Sequence, residues 1–501
     1  MTWKQKRTVW RGAIAAFALI TALPAPVQAQ AGGAGGALSE MQPAHLAGLQ
    51  DFIDGVMAQQ IVSHELAGAT LAVVHEGEIL FSAGYGFSDI EAGAPVDPAQ
   101  TLFRPGSVSK LFTWTALMQQ VEAGRVALDA DVNSYLDFEI PPFEGAPVRI
   151  VDLMSHSPGM SDVSGITAPT VEELTPYDLW IRDNVPERLW APGKEAAYSN
   201  YGTALAGYIV ERVSGEPFAD YVERHIFTPL GMTSTSFREP LPEALQPRMA
   251  RGYELENGRL IEQPFELFSN IMPAGSASST AHDMARFMLA MLNDGAYEGA
   301  RILEPSSVST LFSDSLRNAL DLPGMAHGFY VVREEGPRLV GHAGNTGDFH
   351  SNLILAPEHG FGFFVSTTGG AESSAARTDL SNAIIGRVFP ETPAPRQARP
   401  AGEVSPAGTY RVNRRNYSRP PNEAYDITVE RVGEDGLEIT NQGETTYWER
   451  IGPLTYEKVT GARNGGPYER IQFHGGDETL VLSFNSQPYM AYRRLAAEEQ
   501  D

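Results

Sequence analysis

The sequence predicts an α+β fold: an antiparallel sheet flanked by helices and interrupted by a helical insertion, followed by a small all-β sandwich or barrel. Three observations carry that expectation. Strand-like runs stand at residues 69–85 and again at 329–367 with loop-rich and helical sequence between them, so the sheet has to be assembled from both ends of one domain. The stretch Pro390 to Pro400, Pro-Glu-Thr-Pro-Ala-Pro-Arg-Gln-Ala-Arg-Pro, has the composition of a linker. Beyond it, residues 407–495 carry short alternating runs such as Ile427-Thr-Val-Glu, Thr446-Tyr-Trp-Glu and Arg470-Ile-Gln-Phe, spaced as in a small β-domain.

Taken in order, Lys4, Lys6, Arg7 and Arg11 precede the apolar run Ala13 to Leu23 and then Val27-Gln28-Ala29. This is the pattern of a signal peptide over residues 1–29, cleaved after Ala29, with an apolar run too short to span a bilayer. The chain has no cysteine, which excludes a lipid-anchored N-terminal cysteine and disulfides, so stability must come from a packed core. Processing removes four positive and no negative charges and takes the formal net charge from −25 to −29. A surface this acidic argues against nucleic acid and anionic membrane as partners. No later stretch approaches ~18 uninterrupted apolar residues, so no membrane insertion is expected. The reading is a bacterial periplasmic or secreted protein.

Residues 30–38 read as a flexible leader and residues 41–62 as helical. Runs at 69–75 and 79–85, separated by Glu76-Gly77-Glu78, signal a β-hairpin. Pro105-Gly106 then breaks the chain before the run Val108, Leu111, Phe112, Trp114, Ala116, Leu117, Met118 and Val121, a helix apolar on nearly every side and therefore buried. After it the chain is loop-rich and helical to about residue 292. Four runs at 329–333, 339–342, 349–356 and 360–367 read as an antiparallel meander, followed by a last helix at 381–388.

Ser107-Val108-Ser109-Lys110 places a nucleophile one helical turn from a base. Residues at i and i+3 share a helical face, and a serine in a first turn sits where the macrodipole favours developing negative charge. Serine is also a preferred N-cap, so the spacing alone is compatible with a purely structural role. Lysine usage weighs against that role. The chain has five lysines, Lys4, Lys6, Lys110, Lys194 and Lys458, and otherwise uses arginine, which cannot give up its proton. A lysine in an apolar helix is costly unless its pKa falls or it is paired, and a neutral lysine beside a serine is a usable base.

Tyr198-Ser199-Asn200 precedes a strong helix from about Thr203 to Val213. Tyr198 and Asn200, two apart in an extended segment, project to one side and bring a phenol and a carboxamide together. Tyr198 and Lys110 could share one proton and activate Ser107 as a coupled pair; alternatively Tyr198 packs as a core aromatic and Asn200 caps the helix. His342-Ala343-Gly344-Asn345 ends a strand and opens a turn. His342 would bind a substrate carboxylate or assist the proton relay, or serve only structure, and Gly344 would allow a ligand close to the backbone.

In this order the motifs resemble the serine β-lactamase-like hydrolases, the family of penicillin-binding proteins, AmpC-like β-lactamases, D-amino-acid peptidases and amidases, and related esterases. The resemblance runs from about Leu49 to Thr368. It is carried by Phe103-Arg104-Pro105-Gly106-Ser107-Val108-Ser109-Lys110, Asp152-Leu153-Met154-Ser155-His156-Ser157-Pro158-Gly159-Met160, Tyr198-Ser199-Asn200, Val213-Ser214-Gly215-Glu216-Pro217-Phe218, Ala281-His282-Asp283-Met284-Ala285-Arg286-Phe287 and Gly341-His342-Ala343-Gly344-Asn345-Thr346-Gly347. It implies that Ser107 is acylated, that Lys110 and Tyr198 move its proton, that Asn200 holds the substrate amide and that the amides of Ser107 and Asn345 form an oxyanion hole. His156 falls in a motif usually structural in this family. The chain departs from the family at His342, where many β-lactamases and transpeptidases carry lysine, and this moves weight towards D-peptide, amide or ester substrates.

The expected organisation is a signal peptide (1–29), a hydrolase domain (30–390), a linker (391–402) and a C-terminal β-domain (403–501), for which a lipocalin-like barrel is one form. The expected activity is cleavage of a small-molecule or peptide substrate, an amide of D-amino-acid type or an ester, with no metal and no cofactor. The alternatives are a β-lactamase or carboxylesterase, or a penicillin- or peptidoglycan-binding module that is acylated without turnover. A G-x-S-x-G elbow is absent, and His64-Glu65 and His75-Glu76 lack the second histidine of a zinc motif.

Overall fold

A computed structural model describes Met41, residues 43–370 and residues 372–496. The predicted signal peptide and leader lie outside the described residues. Strands β1 (Gly68–His75) and β2 (Glu78–Asp89) form the predicted hairpin through Glu76 and Gly77, both at positive φ (49° and 85°), a two-residue turn whose twist matches that of the strands. A short β3 (Ala94–Pro95) edges it. The sheet is completed from the far end of the domain by β4 (Asp314–Leu316), β5 (Met325–Ala326), β6 (Tyr330–Arg333), β7 (Leu339–Asn345), β8 (Phe349–Ala356) and β9 (Phe361–Thr368). Its order is β3-β2-β1-β9-β8-β7-β6-β5-β4, and all pairs are antiparallel. β1 meets β9 in register from Gly68 opposite Thr368 to His75 opposite Phe361, so both ends of the domain do join in one sheet.

Both faces of the sheet are covered. Helix α1 (Leu49–Ser63) and the closing helix Glu372–Val388 pack Leu49, Ile53, Leu380 and Ile384 onto Leu71, Val73, Phe363 and Val365. On the opposite face lie α2 (Lys110–Glu122), α3 (Asn200–Ser214) and α4 (Ala281–Leu292), against Ala72, Val74, Leu353 and Phe364. β1 and β9 are thus apolar at successive positions, each residue serving one face or the other. Burial of Phe112, Trp114 and Phe287 contributes roughly 1.5–3 kcal/mol for each such side chain before entropy is counted. Among the described residues no helix is long and apolar enough to cross a membrane.

Several boundaries differ from expectation for local reasons. The helix after Tyr198 starts at Asn200, because the Ser199 hydroxyl accepts from the Gly202 amide at 2.9 Å and caps it. The last helix starts at Glu372, not residue 381. His342-Ala343-Gly344-Asn345 does end a strand, as the last four residues of β7, but the strand runs on to Asn345, which pairs with His350, so the turn opens only after it. The strands 314–316 and 325–326 and the hairpin 252–256 with 259–263 went unread because pieces of two to five residues carry little periodicity.

The C-terminal segment is a closed barrel of eight antiparallel strands: β10 (Gly408–Val412), β11 (Ile427–Val432), β12 (Gly436–Asn441), β13 (Glu444–Gly452), β14 (Thr455–Lys458), β15 (Arg470–His474), β16 (Val481–Phe484) and β17 (Tyr492–Arg494). Tyr410 pairs with Arg494 to close it, which leaves no unpaired edge. Tyr410, Trp448, Tyr456 and Phe473 fill its core. The proline-rich segment before it has no regular structure, yet it does not hang free. Arg396 reaches Glu449 at 2.5 Å and the fully buried Glu457 at 2.8 Å, and Arg450 donates to the Ala398 carbonyl at 2.9 Å. The composition signals a flexible tether; the charges fix it along the barrel.

Candidate active site

Pro105-Gly106 turns the chain out of an extended segment, and Gly106–Ser109 form one 3-10 turn before α2 continues from Lys110. Gly106 has φ of 55°, a conformation that favours glycine. Arg104, just upstream, is buried; it pairs with buried Glu239 at 2.5 Å and donates to the Glu266 carbonyl, which fixes the approach to the turn. Ser107 is half-buried, and Lys110 is fully buried with Nζ 3.0 Å from Ser107 Oγ and 2.5 Å from the Ala274 carbonyl. Loss of water pushes the Lys110 ammonium well below its ordinary range, Arg414 pushes it further, and Asp162 opposes them. Burial therefore biases Lys110 towards the neutral amine, the form in which it could act as a base on Ser107.

Two glycines let β7 run against this turn. A Cβ on Gly344 would lie 2.0 Å from the Pro105 carbonyl oxygen and 2.9 Å from the Ser107 amide nitrogen; one on Gly106 would lie 2.9 Å from the Asn345 amide nitrogen. The Ser107 and Asn345 amides are thus brought side by side by the absence of two side chains. The Asn345 side chain is anchored by His350, Nδ1 to Oδ1 at 2.8 Å.

Tyr198 is 5% exposed, with Lys110 Nζ 4.9 Å from its ring centre. Its hydroxyl has no well-formed hydrogen bond, although Ser107 and Tyr330 both lie close enough to act on it. Burial raises its pKa, against the pull of Ser107 and Arg414. In this dry setting burial favours the protonated phenol over its anion. His156 lies behind it with ring centres 4.2 Å apart, accepts from the Ser199 amide at 3.2 Å and takes the Ala197 amide on its carbonyl. Asn200 is half-buried at the first turn of α3, and its carboxamide has no recorded partner among the described residues.

His342 is 1% exposed, stacked on Tyr330 at 4.2 Å, with Nδ1 facing the Ala343 carbonyl at 2.6 Å. Burial and, secondarily, Lys110 depress its pKa to about 3. It is neutral, so it brings no positive charge to a substrate carboxylate.

The positive charge near the phenol comes from the barrel, none of whose residues is among the predicted site residues. Arg414 lies in the loop after β10, its guanidinium carbon 4.6 Å from the Tyr198 ring centre and its Nε 3.3 Å from Asp162. Tyr489, from the loop before β17, accepts the Tyr198 amide on its carbonyl at 2.9 Å and packs its ring against Tyr198 and Tyr330. Asn413 donates to the Ala196 carbonyl at 3.0 Å and accepts from the Ala491 amide at 3.1 Å. The segment carrying Tyr198 is therefore held between the catalytic domain and two barrel loops. The one sequence signal for Arg414 was an Arg414-Arg415 pair in an acidic chain.

The model of the Beta-lactamase family matches residues 49–386. Penicillin-binding protein 4 of Amycolatopsis lactamdurans is 30% identical over 365 residues, covering 69% of this chain and 93% of the relative. Protein flp of Staphylococcus aureus (strain N315) is 25% identical over 322 residues, 63% of this chain, which spans 62% of that relative's length. The solved structure of SurE superposes with a TM-score of 0.62 at 21% identity, covering 90% of this chain and all of SurE, so the shared fold extends through the barrel. With the Ser107 turn, the Tyr198 segment and β7 all inside the matched region, the chain belongs to the Beta-lactamase family of serine hydrolase folds.

Proposed function

We propose that the protein is a secreted serine hydrolase that cleaves an amide of D-amino-acid type, or an ester, through an acyl-enzyme on Ser107. The observation that carries this reading is the fully buried Lys110 amine 3.0 Å from the Ser107 hydroxyl, its pKa lowered by burial. Lys110 takes the hydroxyl proton as Oγ attacks the substrate carbonyl carbon. The Ser107 and Asn345 amides stabilise the charge that develops on the carbonyl oxygen, each worth about 10²–10³ in rate. Tyr198, still protonated, gives its proton to the departing nitrogen or oxygen and is reprotonated from Lys110. Water then enters along the reverse path. Asn200 is the free carboxamide available to hold the substrate amide, and Gly344 leaves room beside the strand.

Neutral His342 weighs against efficient turnover of carboxylate-bearing β-lactams in the manner of enzymes with lysine at that place. The proposed division is a hydrolase unit over 30–390, a connecting segment over 391–402 and a β-unit over 403–501. Export rests on the pattern of residues 1–29, and the mature protein should begin after Ala29.

Intact-mass measurement during incubation with nitrocefin, a D-alanyl p-nitroanilide and short p-nitrophenyl esters tests the reading. The expected result is an adduct on Ser107 that forms and decays with the amide or ester and is absent in Ser107→Ala. An adduct that forms and never decays with any substrate would replace the hydrolase with a binding module.

A further inference from the structure

The strand that offers the Asn345 amide is paired on one side only at its end. β6 pairs with β7 from Leu339 to Gly341 and no further, which leaves residues 342–345 without a strand partner on that edge. Support has to come from the β8 edge, where Asn345 stands opposite His350 as the last pair before the turn. Directly opposed side chains project to the same face of a sheet, and these two meet: His350 Nδ1 lies 2.8 Å from Asn345 Oδ1. With a carbonyl oxygen as acceptor, the imidazole donates from Nδ1.

The two partners differ in freedom. Asn345 is exposed at the strand end, whereas His350 is 6% exposed and fixed from behind. Its carbonyl accepts from the Thr367 hydroxyl of β9 at 3.2 Å. Arg377 of the closing helix, itself buried, donates to the carbonyl of the next residue, Ser351, at 3.1 Å and to Asn352 Oδ1 at 3.3 Å. His350 and Asn352 share the face of β8 that carries Ile354 and packs on the closing helix, opposite the face on which α2 lies.

Burial first and the Arg377 charge second keep the imidazole neutral, with its pKa lowered to about 4. Nε2 is buried without a well-formed hydrogen bond, although the Gly370 carbonyl faces the ring, so the one well-formed bond of the imidazole goes to Asn345. An imidazole is costly to bury, and an apolar side chain would fill the place at lower cost if packing alone were served. The bond it makes reaches the residue whose amide matters most. β7 packs against the Ser107 turn through Gly106 and Gly344, so movement of residue 345 away from β8 changes the spacing of the Ser107 and Asn345 amides directly.

We propose that His350 is a positioning residue: held by β9 and the closing helix, it grips the Asn345 carboxamide and thereby sets the Asn345 amide where the oxyanion requires it. This inference rests on the serine hydrolase reading for its effect on rate, whereas its effect on the strand end is measurable without turnover.

Steady-state kinetics with phenyl butyrate test the rate effect. In His350→Leu, kcat should fall by about tenfold or more with KM changed less than about twofold, because an oxyanion donor acts in the transition state and is here displaced, not removed. Asparagine carries an N–H where histidine has Nδ1, and glutamine where it has Nε2. His350→Asn should therefore recover kcat to within about threefold of native, and His350→Gln should not. Asn345→Ala, which trims an exposed side chain, should cost as much as His350→Leu, and the double variant no more than either alone. Costs that add, or equal rates in His350→Asn and His350→Gln, would reduce His350 to core packing and overturn the proposal. If His350→Leu does not fold, the Asn and Gln variants and Asn345→Ala decide.

Hydrogen exchange reads the strand end without substrate. Residues 343–349 should exchange about tenfold faster in Asn345→Ala and in His350→Gln than in the native chain, with β1 unchanged. Native exchange rates at 343–349 in both variants would overturn the positioning role. Absence of turnover with every ester in the native chain would instead refute the hydrolase reading, while exchange still decides whether His350 sets the strand end.

Discussion

The catalytic domain and the barrel meet at Tyr198 with opposite physical means. The catalytic domain brings Ser107, Lys110, Tyr198 and His342 together in a dry interior where every titratable group is driven towards its neutral form: the lysine and histidine downward, the phenol upward. The barrel brings permanent charge and backbone: Arg414 over the phenol, and the Asn413 and Tyr489 loops that hold the Tyr198 segment. Bond-making needs groups that take up and give up protons, and burial moves Lys110 towards that task, whereas recognition and support need no proton transfer. The difference separates what performs the proposed chemistry from what selects and steadies it, and each prediction below tests that separation.

The largest effect should fall on the dry cluster. Ser107→Ala should lose at least about 10³-fold in kcat/KM and all labelling by a fluorophosphonate probe, with the circular dichroism spectrum unchanged. Lys110→Arg should be nearly as inactive as Lys110→Ala, since arginine keeps a charge and cannot act as a base. A Lys110→Arg variant at near-native rate would make charge, not proton transfer, the function of this position and erase the distinction between the domains.

Acid should also tell the two regions apart. His342 has its pKa depressed to about 3 and His350 to about 4, both by burial first, and His156 is depressed well below its usual value. Between those values and the ordinary 6.5 of the unfolded chain, the unfolded state binds more protons than the folded one. Stability therefore falls as pH drops through that window, by as much as about 1.4 kcal/mol per unit for each fully neutral histidine. The barrel contains one histidine, His474. Hydrogen exchange from pH 7 to pH 4.5 should show β7 and β8 losing protection before β11 to β13. Barrel strands that open first would contradict the assignment of the neutral, dry interior to the catalytic domain.

These contrasts also explain what was legible in the sequence. Ser107 and Lys110 are three residues apart and Tyr198 and Asn200 two, so local geometry alone brings each pair together, and the family motifs join the pairs. β1, β2 and the meander were legible because both faces of the sheet are covered and the strands are apolar and bounded by turn residues. Arg414 was not legible. It stands far from Tyr198 in sequence, in a loop without a motif, and reaches the site only because a barrel docks there. The neutrality of His342 and of Tyr198 was equally hidden, since it follows from burial that no spacing reveals.

A contact of intermediate strength tests whether the barrel steadies the chemistry. Asn413 uses both ends of its carboxamide, donating to the Ala196 carbonyl and accepting from the Ala491 amide, in a buried setting. Asn413→Ala leaves both unsatisfied, at about 1–3 kcal/mol. Because the Ala196 segment carries Tyr198, kcat should fall by about tenfold with KM for a neutral ester little changed. Thermal unfolding and steady-state kinetics together check this; a destabilised variant with native kcat would show that the barrel supports the fold without supporting Tyr198.

The smallest effect should come from a contact between the same two domains that lies at their rim. Arg493 of the barrel reaches Glu195 at 2.6 Å, only three residues from Tyr198, but its side chain is 45% exposed. Water already screens that charge, and holding a long side chain in one geometry costs entropy, so such pairs contribute about 0–1 kcal/mol. Arg493→Gln should change the unfolding free energy by less than about 0.5 kcal/mol and leave kcat for a neutral ester where it was, whereas Arg414→Gln, which removes the cation over the Tyr198 ring, should lower it. The two arginines reach the same segment from the same barrel and differ in what they touch: Arg414 lies over the Tyr198 ring, whereas Arg493 pairs with Glu195. If Arg493→Gln lowered kcat as strongly as Arg414→Gln, the effect would belong to the general positive charge of the barrel rim and not to the contact of Arg414 with the Tyr198 ring.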